Sequence, residues 1–485
     1  NYQGVLGNNA VTIATLLQDA GYHTYMAGKW HLGKTTNLLP SRRGFERTVA
    51  MADTGADNWE QKPYLPIYEK ANWFADGSEM QLPDDFYSSE FLIDKMIEFI
   101  DGHSSDDQPF FAYLPFQAVH IPVQAPQEFI DRYMGVYDDG WDALRVRRHA
   151  RAVEAGIVPA ESEMVTMSST GCWNELSDEQ QRYQSKRMAV YAGMVEAMDY
   201  HIGRLVDHLK SSGQYQNTVF IFTSDNGSEA SVADPTAAGV RLLLSTQDYN
   251  SDYETLGLKG SFNTIGPSFA SASASPLAYY KFYVGEGGMR VPLIFAGEPI
   301  RQQNEMSGAF TYVTDIAPTI LELCDVMPPT ARYGGRPVEA MIGHSLVPLL
   351  KGEADHVYAD DEYVGYELGG NAALFEGDYK IVLCRGAVGD GQWHLYDIVR
   401  DPGETEDLSS RMPQRLQRML ALYQEYELAN QVLPVPTRYT QGGQVVFNGL
   451  RDRFGRHILL ALLTVSILVA CYVVGRIARA RALTS

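Results

Sequence analysis

Residues 11–21, VTIATLLQDAG, carry apolar side chains at helical spacing and close on a glycine, and the strand-like YHTYMAG follows at once. The same order recurs twice. FYSSEFLIDKMIEFIDG (86–102) precedes the apolar run PFFAYLPF (109–116), and a long helical stretch precedes TVFIFTSDNG (218–227). That stretch opens on a capping box from Ser177 to Gln180 and runs to about Lys210. Helices alternating with short apolar runs predict an α/β fold with a mixed, mostly parallel central sheet flanked by helices. Ligands of such sheets sit beyond the carboxyl ends of the strands. From about 346 the pattern changes to the short alternating runs EYVGYEL, AALFEGDYKIVLC and WHLYDI, then one helix near 413–428. These predict a smaller C-terminal α+β subdomain with an antiparallel sheet.

The length of 485 residues allows one large core plus an appendage. A net charge of −21 excludes a broad nucleic-acid surface, so an anionic ligand must be met by a few locally placed cations. Four scattered cysteines form no C-x-x-C pair and read as small apolar side chains. Near the C-terminus, ILLALLTVSILVACYVVG (458–475) is an uncharged run of 18 residues flanked by three arginines on each side. As a helix it would span roughly 27 Å, which predicts a transmembrane anchor. The expected organisation is a catalytic α/β domain over 1–345, the α+β subdomain over 346–430, a linker over 431–456, the membrane helix over 457–475 and a basic tail over 476–485. The opening NYQGVLGNNA has no Met and reads as an N-terminally truncated domain.

Four groups of residues past strand ends carry chemistry. Lys29 and His31 stand in GKWH, His120 in HIPVQAP, Asp225 and Asn226 in FTSDNG, and Lys281 five residues before Glu286 in YYKFYVGEGGMRVP. Adjacent carboxylate and amide oxygens suit a hard divalent cation. A lysine and a histidine two apart on an extended chain point to the same side, one to hold charge and one to move a proton. Taken singly, each has an ordinary reading: a turn, a solvated lysine, a satisfied loop histidine, a lysine stem packed on rings. Their order in one α/β chain is what carries the argument. Trp59, Tyr64, Tyr68, Trp73 and Trp141 are the aromatic candidates for a substrate pocket.

GYHTYMAGKWHLG, FTSDNG and K-x-x-x-x-EGG-x-R-V-P resemble, in that order, the signatures of bacterial arylsulfatases of the alkaline-phosphatase superfamily. RRGFE (42–46), IGPSFASASASP (265–276) and LYDIVRDPGETEDL (395–408) extend the resemblance across nearly all of 1–430. It implies hydrolysis of sulfate esters of small molecules or sugars, one Ca²⁺, and a formylglycine nucleophile installed by a formylglycine-generating enzyme on a C/S-x-P-x-R motif. Carried over by position, Lys29 and Lys281 bind sulfate oxygens, His31 and His120 are catalytic, and Asp225 and Asn226 ligate the metal. The 485 residues contain no C/S-x-P-x-R motif. LLPSR (38–42) has Leu38 where the nucleophile would stand, so this polypeptide alone is expected to be inactive. The resemblance also implies a periplasmic catalytic domain, and the apolar run at 458–475 would anchor it at the membrane, with no orientation set by the flanking arginines. The alternatives are a phosphonate monoester or phosphodiester hydrolase of the same superfamily and a non-catalytic binding protein of the same fold.

Overall fold

The computed structural model describes residues 4–103, 106–231, 237–300, 304–436 and 439–482. The helix Ile13–Asp19 is capped by Thr12, whose Oγ1 accepts from the Thr15 amide at 3.1 Å. It delivers the chain into β1 (His23–Lys29), buried on both faces. Alternation sends Tyr25 and Ala27 into a core with Val49, Trp73, Leu92, Met96 and Phe99, while Met26 packs on the opposite face with Trp30, Phe45 and Ala50. The first core is closed by the helix Ser88–Asp101 and by the long helix Asp178–Ser211, whose capping box at Ser177 and Gln180 forms as expected.

The five-stranded sheet has the order β4 (Ser78–Glu79), β3 (Trp73–Ala75), β2 (Arg47–Met51), β1, β5 (Phe110–Tyr113). β1 runs parallel to β2 and β5, whereas β3 is antiparallel to both β2 and β4. The expected mostly parallel sheet is therefore half antiparallel. β3 and β4 join through the tight turn at Asp76 and Gly77, both at positive φ, and such a hairpin needs no crossover helix. β6 (Phe220–Thr223) pairs only with β7 (Leu293–Ala296), antiparallel, and a two-strand hairpin β8 (Arg332–Tyr333), β9 (Arg336–Pro337) follows. β5 and β6 thus each keep one unpaired edge among the described residues. Both line a cavity of about 4760 Å³, into which Tyr113, Phe222 and Ile294 expose large apolar surfaces.

The second sheet is β10 (Tyr363–Leu368), β11 (Asn371–Glu376), β12 (Tyr379–Leu383), β13 (Trp393–Asp397), all antiparallel. Gly377 and Asp378 make the two-residue turn between β11 and β12. One face takes Met419 and Tyr423 of the helix Pro413–Asn430, and the other packs Ala373, Phe375 and Val382 on Val284. Between the two units lies a fully buried charge cluster. Lys380 Nζ on β12 meets Glu286 Oε1 at 2.8 Å and Glu404 Oε1 at 2.9 Å.

The expected membrane helix is corrected. The run 457–475 is not a separate span but part of one helix, Gln441–Ala482, that continues through Arg451, Asp452, Arg453 and Arg456. Its first turns dock on the body of the protein: Arg453 donates to the Pro66 carbonyl, and a Cβ at Gly449 would stand 2.8 Å from Ile67 Cδ1. Among the described residues no helix is long and apolar enough to cross a membrane. The side chains of 457, 459, 461–462, 468–471 and 473–475 lie outside the described residues. The membrane anchor, the membrane as a partner and the anchored location inferred from them are not supported. The cysteines also differ from expectation in part, since Cys384 is buried but Cys172 is exposed.

Candidate active site

β1 ends at Lys29, and the path of its last residues is fixed by Gly28. At φ 145° this residue occupies backbone space that other residues avoid, and a Cβ there would stand 2.1 Å from the Pro115 carbonyl oxygen. The closeness is used, because the Lys29 amide donates to that same carbonyl at 2.7 Å. GKWH is thereby tied to the segment after β5 that carries His120. Gly28→Ala is expected to cost about 1–3 kcal/mol in backbone strain alone, read as a lowered urea midpoint.

His31 lies beyond the strand with φ 51°, a left-handed conformation uncommon for a residue with a side chain. Alternation along an extended chain therefore does not aim Lys29 and His31 together, as the sequence suggested. A turn after the strand does. His120 is half-buried, edge-on to the Tyr64 ring at 5.4 Å, with a ring nitrogen, Nδ1, 2.8 Å from the Ile121 carbonyl. A carbonyl only accepts, so Nδ1 carries the proton and Nε2 keeps its lone pair. Gly55 makes room for the ring, since a Cβ there would lie 3.0 Å from Nδ1.

Asp225 and Asn226 follow β6, and Lys281 precedes β7. Two backbone bonds bring these loops together: Lys281 N to Ser228 O and Gly227 N to Gly288 O, each 3.0 Å. Lys281 Nζ pairs with Glu229 Oε2 at 2.7 Å. Glu229 was not singled out from the sequence. Four residues past Asp225 it reads as a solvated acid, yet it is 8 % exposed.

Lys29, His31, His120, Asp225, Asn226 and Lys281 all line the one cavity, and the charged members act on one another. Burial, then repulsion by Lys281, lowers the Lys29 ammonium to about 8 against the pull of Asp225 and Glu229. Burial and the charge of Lys29 lower His31 to about 4, with Asp53 and Asp225 opposing. Burial, Lys281 and Lys29 hold His120 well below the ordinary imidazole value. At neutral pH the site thus presents two ammonium groups and two neutral imidazoles. Asn226 Nδ2 donates to the Gly227 carbonyl at 2.9 Å, which leaves its amide oxygen for the cavity beside the exposed Asp225 carboxylate. This oxygen pair suits a hard cation. Of the aromatic candidates, Tyr64 and Tyr68 line the cavity, Trp59 packs on Tyr87, and Trp73 and Trp141 are buried in cores.

The family description "Sulfatase" matches residues 1–326. The chain is 34% identical over 457 residues to an uncharacterized sulfatase of Schizosaccharomyces pombe, covering 90% of this chain and 80% of the relative. The chain belongs to the sulfatase family. This sulfatase is also 35% identical over 351 residues to an arylsulfatase of Klebsiella aerogenes, covering 71% of this chain and 74% of that one. Among solved structures, Ps i-CgsB superposes with a TM-score of 0.60 at 21% identity, covering 94% of this chain and 82% of its own. BT4656, solved with its substrate D-glucosamine-2-N,6-O-disulfate, superposes with a TM-score of 0.53 at 18% identity, over 87% and 83%. These two likenesses show the fold, a mixed sheet with helices.

Proposed function

We propose that this site serves the hydrolysis of sulfate esters of the arylsulfatase type, on a sulfated small molecule or sugar, with a formylglycine nucleophile and one bound Ca²⁺. The observation that carries the reading is the pair Lys29 and Lys281. Two ammonium groups close enough to depress one of them are stabilised when an anion lies between them. Lys29 and Lys281 bind the sulfate oxygens, and Glu229 holds Lys281 in place while the site is empty of substrate. His31, neutral at pH 7, accepts the proton of the nucleophile's hydroxyl. Burial keeps His120 neutral, helped by repulsion from Lys281 and Lys29, and a sulfate anion offsets that repulsion. The imidazole then takes up a proton from solvent at Nε2 and gives it to the leaving oxygen as the ester S–O bond breaks. Asp225 and Asn226 would hold the Ca²⁺, which supplies charge stabilisation at the sulfate oxygens. In this reading the chemistry belongs to 1–345, and 346–430 buttresses the Lys281 loop.

Calorimetric titration of p-nitrophenyl sulfate tests the proposal. Lys29→Ala and Lys281→Ala are each expected to lose at least about 10-fold in affinity, the equivalent of one charge-assisted contact. Binding by the wild type falls as pH rises through about 8, where Lys29 gives up its proton, and this slope is absent from Lys29→Ala. Unchanged binding in both variants, or tighter binding of a phosphodiester than of the sulfate ester, overturns the reading.

A further inference from the structure

The helix Gly140–Glu154 turns one face to the cavity, and that face carries Leu144, Arg148, Arg151 and Ala152, spaced as i, i+4, i+7 and i+8. Leu144 and Ala152 are what such a face ordinarily holds, and the two arginines are not. The other arginines of this helix have their acceptors. Arg145 donates to the Val165 carbonyl at 2.8 Å and to Ser271 Oγ at 2.9 Å, and Arg147 pairs with Asp139. Arg148 and Arg151 make no hydrogen bond or ion pair among the described residues. The chain has 60 acidic residues against 39 lysines and arginines, so acids to pair with are not scarce.

The two arginines lie within electrostatic reach of the lysine site. Arg148 is exposed, and it lines the cavity. Burial among the cavity walls holds its guanidinium below the ordinary value, Tyr191 and Tyr137 oppose this, and the neighbouring charge of Arg151 lowers it further. Even so, an arginine keeps its charge in a protein. Burial raises the Tyr191 phenol, and Arg148 and Glu229 act on it with opposite signs. Tyr191 is thus near both, and Glu229 in turn holds Lys281 at 2.7 Å.

We propose that Arg148 and Arg151 form an anion subsite for a second oxyanion group, a carboxylate or a further sulfate, on the same molecule whose sulfate ester lies between Lys29 and Lys281. This rests on the sulfate-ester reading above and narrows it to substrates with at least two negative charges, as in acidic sulfated sugars. A guanidinium presents paired N–H donors in one plane, matched to two oxygens of a carboxylate or sulfate. Residues at i and i+3 are neighbours on a helix surface, so one anion can lie against both arginines. It relieves their mutual repulsion and supplies the acceptors that the described residues do not. Tyr137 and Tyr191, packed beside one cluster, offer an amphipathic wall for the ring that joins the two anions.

The test is calorimetric titration of the full chain with a monosulfated disaccharide bearing one uronate, and with the methyl ester of the same uronate, repeated for Arg148→Gln and Arg151→Gln. p-Nitrophenyl sulfate serves as the ligand without a second anion. The uronate is expected to bind the wild type at least about 10-fold more tightly than its ester. Both variants lose that advantage, while their affinity for p-nitrophenyl sulfate and their urea midpoints stay at the wild-type values. Equal binding of uronate and ester by the wild type overturns the subsite and leaves the sulfate reading standing. So does an advantage that survives in both variants. Variants weakened equally toward all three ligands, with lowered urea midpoints, make the arginines structural and overturn it too. A wild-type chain that binds none of the three overturns the sulfate reading itself, and the subsite with it.

Discussion

The 485-residue polypeptide, folded and able to bind an aryl sulfate, is expected to hydrolyse p-nitrophenyl sulfate no faster than buffer does. In the proposed reading the site supplies charge and proton transfer but no nucleophile of the proposed type: none of the chain's cysteines or serines stands in C/S-x-P-x-R. Positioning and electrostatics without the attacking group leave only a residue of the rate enhancement, which in enzymes of covalent mechanism falls by about 10⁴–10⁶ when the nucleophile is removed. Binding measured on the same sample separates this outcome from misfolding. Turnover well above background would remove formylglycine from the proposal and turn attention to another nucleophile in the cavity, while the roles given to Lys29 and Lys281 would stand.

Lys380→Met is expected to cost about 3–5 kcal/mol, because it leaves two buried carboxylates with their shared cation gone. Lys380 has no exposed surface and touches both Glu286 and Glu404. Burial pushes Glu404 up to about 7 even with the lysine in place. Glu286, for which burial works in the same direction, is held below its ordinary value by Lys380 and Arg290. The urea midpoint should fall, and affinity for aryl sulfate should fall with it, since Glu286 opens the short helix five residues after Lys281. Adding Glu286→Gln and Glu404→Gln to Lys380→Met should return much of the loss, as neutral groups cost less to bury. A Lys380→Met protein as stable as the wild type would show that the cluster contributes nothing net to folding.

Much of this architecture was legible because local chemistry and the fold agree. Ser177 and the glycines after the helices mark element ends, and the strand-like YHTYMAG became β1, buried along most of its length. The late change to short alternating strands became the sheet β10 to β13. What sequence spacing missed depends on three-dimensional context. His31 reaches the cavity through a left-handed residue, which periodicity does not encode. Glu229 looks like a surface acid until Lys281, 52 positions away by number, is folded onto it. The apolar stretch at 457–475 invites a membrane reading when its composition is weighed without the helix that continues through it. The antiparallel half of the first sheet arises from a tight turn at Asp76 and Gly77 that the pattern of helices and strands did not reveal.

The unpaired margins of β5 and β6 have a practical consequence for handling the protein. Among the described residues each offers a row of amide and carbonyl groups without a strand partner, next to apolar side chains such as Tyr113 and Phe222, and the guards of such borders are limited to Pro109 and Pro115 at the two ends of β5. An extended segment from a neighbouring molecule finds there a template to add to, so concentrated solutions of this polypeptide will favour self-association through strand addition over remaining monomeric.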